Sequence, residues 1–290
     1  MEENRVKIFV IGHKKTSVAK SKYLIPLQAG TYDNGEIEGM LHDNEGDNIS
    51  DKNKYYCELT AQYYAWKNID ADYYGFFHYR RYLSFVEKEH KRPHAFYNKI
   101  DDKLVLKLKI DDVERVVKGR DVLIPYPEDM HLSIKNHYLS SPEHVNKDAI
   151  DHVMEIIIKK NPEMEKDILF YLHENTCLIS KNMYIMSKEF ADGYFTFLFD
   201  VLKEYDETYA SEILPRTQGF LAERIFAIYF LYKKRTTDLK YAYLQRVDIL
   251  EFHKNKLFYK LGYYILPPGT KRRIFFKNLL SDKMFVKLKK

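Results

Sequence analysis

Apolar positions along the chain fall into short runs divided by polar stretches, and their spacing predicts strands alternating with helices. Residues 6–11 form a continuous apolar run closed by Gly12-His13, the pattern of a buried first strand. Residues 31–48, rich in Gly, Asp and Asn, read as loop. Ser50 or Asn53 can cap the next helix, whose apolar stripe is Leu59, Tyr63 and Trp66 at i, i+4 and i+7. Residues 73–79 read as a strand, 84–100 as a polar excursion, 111–118 as helix and 121–125 as a short buried strand. Helices are predicted over 149–160, 165–172, 190–205 and 219–232, paired strands over 176–179 and 182–186, and a last strand over 240–247. This alternation favours an α/β fold with a mainly parallel sheet.

The charge pattern divides the chain near residues 248–254, giving a body of residues 1–250 and a tail of 251–290. From Lys254 onward there are eleven Lys/Arg and one acid, whereas the preceding residues carry a net charge of −5. The tail interleaves its bases with Leu257, Phe258, Tyr263, Tyr264, Ile265, Ile274, Phe275, Phe276 and, further on, Leu279, Leu280, Phe285 and Val286. Bases among bulky apolar residues describe a segment that lies on an anionic membrane surface. The 45% apolar and 31% charged composition is that of a soluble globular protein. The start Met-Glu-Glu-Asn lacks a signal-peptide pattern, and no uninterrupted apolar stretch is long enough to span a bilayer, so a cytoplasmic location is expected. Two lone cysteines, Cys57 and Cys177, define neither a metal motif nor a disulfide framework. The 25 tyrosines and 18 phenylalanines suit sugar stacking and membrane interfaces, and equally a Tyr-rich genome.

Chemistry concentrates between residues 47 and 82. A hydrophobic strand that delivers His78, Arg80 and Arg81 to its C-terminal end carries buried charge that needs partners. Strand C-termini are where open α/β sheets bind ligands, so an anionic ligand is the economical explanation. The competing reading is an internal ion pair to Asp70, Asp72 or Glu58, with His78 as a satisfied core histidine. Asp47, Asn48, Ser50, Lys52 and Asn53 precede a helix N-terminus, where free N–H groups favour an anion. Gly12, His13 and Lys14 follow the first strand, at the place a nucleotide base and ribose occupy in a Rossmann-like sheet.

The segments I-F-V-I-G-H-K (8–14), Y-L-I-P-L-Q-A-G (23–30), the 47–68 block, G-F-F-H-Y-R-R-Y (75–82), N-M-Y-I-M (182–186) and Q-G-F-L-A-E-R (218–224) carry a resemblance. Together they resemble a family of bacterial capsule and exopolysaccharide glycosyltransferases long catalogued as a domain of unknown function, some members of which are associated with galactofuranosyl transfer. Asp51 departs conservatively from the glutamate expected there, and the segment after about residue 240 lies outside the likeness. The resemblance implies a GT-A-like, Rossmann-type nucleotide-sugar domain acting on a UDP-linked or similar donor. It also implies an inverting hexosyl transfer to a lipid-linked saccharide. In GT-A enzymes the corresponding strand commonly ends in D-x-D, which holds a divalent metal; here no acid is present, and arginine can take over phosphate neutralisation, leaving metal need open. Glu223 is the expected base, with Asp238 and Glu174 as weaker alternatives, and His78 is expected to assist at the diphosphate. Asn182, Arg216 and Gln218 are expected at the acceptor side of the cleft. The alternative class is a non-catalytic protein that binds nucleic acid or membrane through the basic tail; the tail's apolar content and the lack of a recognition motif speak against nucleic acid.

Overall fold

The computed structural model describes residues 5–86, 94–144, 146–252, 255–266, 270–273 and 275–276. Ile274, the tail residues from 277 onward, and the side chains of Phe258 and Tyr263 lie outside the described part. Eleven strands are defined: β1 (Val6–Gly12), β2 (Leu24–Gln28), β3 (Leu41–His42), β4 (Tyr73–His78), β5 (Arg81–Ser84), β6 (His94–Tyr97), β7 (Val122–Pro125), β8 (Glu128–Asp129), β9 (Cys177–Leu178), β10 (Tyr184–Ser187) and β11 (Tyr241–Ile249).

Nine of them form one mixed sheet. Its outer half, β3-β2-β1-β4, is parallel as the pattern predicts. The rest departs from a mainly parallel sheet. Strands β4, β10, β7, β11 and β5 close into a ring, and four of its five pairings are antiparallel. Gly75 of β4 lets β1 and β10 pack close on either side: a Cβ there would stand 2.8 Å from Ile8 Cγ1, closer than side-chain contacts allow, and 3.2 Å from Ile185 Cγ1, which would have to give way. Parallel strands covered on both faces read as unbroken apolar runs, and β1 fits. Phe9 and Ile11 pack into one core with the helices Leu59–Asn68, Ala149–Lys160, Lys188–Thr208 and Thr217–Thr236. Val6, Ile8 and Val10 face the opposite core, which includes the helices Asp102–Leu108 and Val113–Val117.

Several expectations need correction. The 31–48 stretch contains a short helix, Thr31–Asn34, as well as β3. The 84–100 excursion begins at the end of β5 and includes β6, which pairs with the late strand β11. The two segments expected to pair around residue 180 do not: β9 pairs with β8, while β10 turns away between β4 and β7. The Leu59–Asn68 helix is not a surface stripe. Thr60, Gln62 and Tyr64 are buried along with Leu59, and Trp66 is only partly covered, stacking on Phe199 while its indole N–H donates to Asp192 at 2.8 Å. Beyond Phe252, whose ring packs edge-on against Tyr79, the helix Lys256–Ile265 leaves Leu257, Leu261, Tyr264 and Ile265 exposed. No helix among the described residues is long and apolar enough to cross a membrane.

Candidate active site

A cleft of about 510 Å³ opens beyond the C-terminal ends of β1 and β4. Gly12 at the end of β1 and His13 just after it contribute to its wall. The segment after β4 contributes His78, Arg80 and Arg81; the 53–58 segment contributes Asn53, Cys57 and Glu58; Lys181 comes from the approach to β10; and Arg216 and Glu223 come from the start of the Thr217–Thr236 helix.

The two arginines differ because the strand does not run through them. β4 and β5 pair at His78 and Arg81, so Tyr79 and Arg80 are the two residues of a tight hairpin turn. Arg81 begins the return strand and is consumed internally, its Nε donating to Asp248 at 3.1 Å. This is an ion pair of the kind anticipated, but with an acid from β11; Asp70 and Asp72 are instead taken by Arg5. Asp248 and Arg81 belong to a buried network in which Arg246 bonds Asp248 at 3.2 Å and Glu128 at 2.7 Å. Burial pushes the Glu128 carboxyl up, yet Arg246 and then His94 hold it well below the ordinary range. Arg80, at the tip of the turn, has no ion pair among the described residues. Its Nε is buried without a hydrogen-bond acceptor, and its guanidinium lies 5.7 Å from the Tyr79 ring centroid.

Glu58 and Glu223 both reach the cleft, and both grip the chain at residues 181–182. The Lys181 N–H donates to Glu223 Oε1 at 2.8 Å, and the Asn182 side-chain amide donates to Glu58 Oε1 at 2.9 Å. The second oxygen of Glu223 accepts from the buried Arg224 at 3.0 Å. Burial first, and then the Glu223 charge, raises the Glu58 carboxyl above its usual range. His78 accounts for the Lys181 carbonyl, which its Nε2–H donates to at 2.8 Å. Burial, and after it Arg81, pushes the His78 imidazole down to about 3, so it is neutral at pH 7. Burial also raises the Cys57 thiol to about 12, which makes it a poor nucleophile at neutral pH. Cys57, Lys181 and Arg216 all have positive φ, as does Asn182 behind them. Such conformations are costly for residues with side chains and cluster at functional sites.

The donor residues expected from the sequence scatter. Gly12, His13, Asn53, Arg80 and Arg81 line the cleft; Lys14 does not, its exposed ammonium lying 5.5 Å from the Tyr79 ring centroid. The 47–52 cluster is not part of it. Ser50 is turned to the chain's own Asp43, which accepts from the Ser50 and Thr60 hydroxyls and from the N–H groups of Gly30 and Thr31 at the start of the Thr31–Asn34 helix. Neither Ser50 nor Asn53 caps the helix that follows. Asp47 and Asn48 bond within their own loop and to Tyr63 and Asn68. Lys52 pairs with Asp206 at 3.3 Å, and Gln218 donates to the same acid at 2.7 Å, so neither faces the cleft. On the acceptor side Arg216 lines the cleft, whereas Asn182 is buried behind it, bonded to Glu58 and to the Gly219 carbonyl. Lys181 escaped the sequence reading altogether; only its position before N-M-Y-I-M marked it. Glu58 enters the sequence reading only as an ion-pair partner for a strand-end arginine. Among the described residues no group of three or more His, Cys, Asp or Glu side chains could hold a metal ion.

Fold and site together define an α/β protein with a ligand cleft at a parallel strand edge, cationic on the hairpin side and carboxylate-bearing on the helix side. The chain belongs to the family described as a domain of unknown function, DUF4422, which it matches over residues 7–235. A solved apo structure of WbbM, titled a bifunctional glycosyltransferase, is similar to it with a TM-score of 0.78 and 30% identity, covering 85% of this chain and 45% of that one. The chain thus spans less than half the length of that protein. No curated protein matches it.

Proposed function

We infer that the protein is a nucleotide-sugar-dependent glycosyltransferase of polysaccharide synthesis. The observation that carries this reading is the cleft itself, where Arg80, a cation with no acidic partner among the described residues, lines the same cavity as the carboxylate of Glu223. The likeness to WbbM adds support. In a GT-A-like arrangement the donor diphosphate rests against Arg80, with the base and ribose near Gly12 and His13. An acceptor hydroxyl attacks the anomeric carbon, the bond from that carbon to the diphosphate oxygen breaks, and Glu223 takes the hydroxyl proton. Inversion follows from a single displacement. His78 is a neutral hydrogen-bond donor to the backbone, which makes it a positioning residue. The sugar is a hexosyl group, galactofuranosyl in the narrower reading, and the donor is UDP-linked. The acceptor is a lipid-linked saccharide on the inner membrane face, approached through the basic tail.

Glu223→Gln tests the base. It keeps an oxygen for the Lys181 N–H but cannot accept the acceptor proton. General-base catalysis contributes about 10²–10⁴-fold, so kcat for sugar transfer should fall by that order while donor affinity, measured by calorimetry, changes little. More than half the activity retained would place the base elsewhere, with Glu58 and Glu143 the other carboxylates that line the cleft.

A further inference from the structure

Resting on the transferase reading, the geometry points to Lys181 as a second cation that binds the donor diphosphate together with Arg80. Three features converge on it. Lys181 lines the cleft, and no acid among the described residues forms an ion pair with its ammonium. Glu128, the acid that feels its charge, is already held by Arg246 at 2.7 Å and His94 at 3.0 Å. The turn that presents Lys181 is fixed at three points: its N–H by Glu223, its carbonyl by His78, and the next residue by Glu58. Finally, Arg80, Arg81 and Lys181 line the same cleft as His78, whose ring holds the Lys181 carbonyl. Arg81 is offset there by Asp248.

Arg80 and Lys181, neither in an ion pair among the described residues, bring two like charges into one cleft, and an anion bound between them relieves their repulsion. They come from separate turns, at residues 79–80 and 181–182, which suits a ligand bearing at least two negative charges. A diphosphate fits better than a single carboxylate. The backbone adds a further argument. Lys181 and Asn182 adopt φ of 83° and 48°, a conformation in which glycine would be the relaxed choice. A strained lysine, where glycine would stabilise the turn, is accounted for by its ammonium.

The experiment titrates the full chain with UDP, GDP, ADP and dTDP and, separately, with inorganic pyrophosphate, using wild type, Lys181→Gly, Lys181→Ala and Lys181→Arg. Lys181→Gly should melt no lower than wild type, because it relaxes the turn, yet bind the nucleoside diphosphate and pyrophosphate at least tenfold more weakly. Lys181→Ala should weaken binding similarly, and Lys181→Arg should remain within about threefold of wild type. If wild type binds a nucleoside diphosphate and Lys181→Ala binds it equally well, the assignment of Lys181 is overturned while the transferase reading stands. If wild type binds none of the diphosphates, the transferase reading itself falls. A Lys181→Gly protein that loses stability along with affinity would show that the side chain serves the fold, and would equally overturn the assignment.

Discussion

Neighbouring residues of like chemistry can have opposite roles, and Arg80 and Arg81 give the sharpest case here. Arg81 is built into the fold through Asp248, whereas Arg80 stands on a turn with no ion pair among the described residues. Arg80→Ala should therefore weaken nucleotide-sugar binding at least tenfold, equivalent to about 1.4 kcal/mol, and leave the urea unfolding midpoint unchanged. Arg81→Ala should lower stability by about 1–3 kcal/mol, because Asp248 loses one of its two cations. Equal loss of stability in both variants, read from urea titrations beside calorimetry, would contradict this division. The sequence marks 78–81 as a cluster of basic groups that need partners but does not separate the two arginines. A Tyr-Arg pair carries none of the Gly, Asn, Asp or Pro signals of a two-residue turn, so a strand that reverses there reads as one that continues. The 47–52 cluster misled for the opposite reason. It has capping composition, but its polar side chains are taken by partners elsewhere in the chain, Ser50 by Asp43, Lys52 by Asp206 and Asp47 by Tyr63, and those meetings are a property of the folded loop.

At the scale of elements, periodicity was a reliable guide wherever one face alone is buried. The predicted 149–160 helix coincides with Ala149–Lys160, and 190–205 lies within Lys188–Thr208. It failed where an element is covered on most sides, as in Leu59–Asn68, whose inward Gln62 is paid for by bonds to the Asn182 carbonyl and the Tyr184 hydroxyl. The Lys256–Ile265 helix is a different case. Leu257 is 79% and Ile265 59% exposed, with Leu261 and Tyr264 on the same surface. Those residues are spaced to form one apolar face, and the surrounding segment is strongly basic. This helix and the bases beyond it should bind anionic vesicles, each Lys or Arg near the surface adding about 1 kcal/mol. Flotation with phosphatidylserine vesicles should show binding that weakens as salt screens the charges but keeps an apolar remainder. A chain ending at His253 should melt like the full protein and fail to float. Preference for oligonucleotides over vesicles would favour nucleic-acid binding instead, and unfolding on truncation would show that the tail belongs to the core.

Across the whole molecule the α/β class was legible from the alternation of patterns, and so was the parallel half-sheet that carries the cleft. The ring was not, since β11 joins β5, β6 and β7 across long sequence separations that no local pattern records. The family match ends at residue 235, before β11 begins at Tyr241. A chain cut at 235 should therefore lose its cooperative thermal transition, whereas one ending at His253 keeps it; similar melting of the two would show that the ring is dispensable. The same closure has a meaning in time. During synthesis at about 5–20 residues per second, β4 emerges roughly ten to thirty seconds before β11 is complete. Through that interval the nascent protein holds Arg81 without Asp248 and β5 without β11 beside it. An unpaired strand edge and a stranded charge are what chaperones and proteases meet first, so each newly made copy passes through a window of exposure on the ribosome, set by how late in the chain the closing strand is encoded.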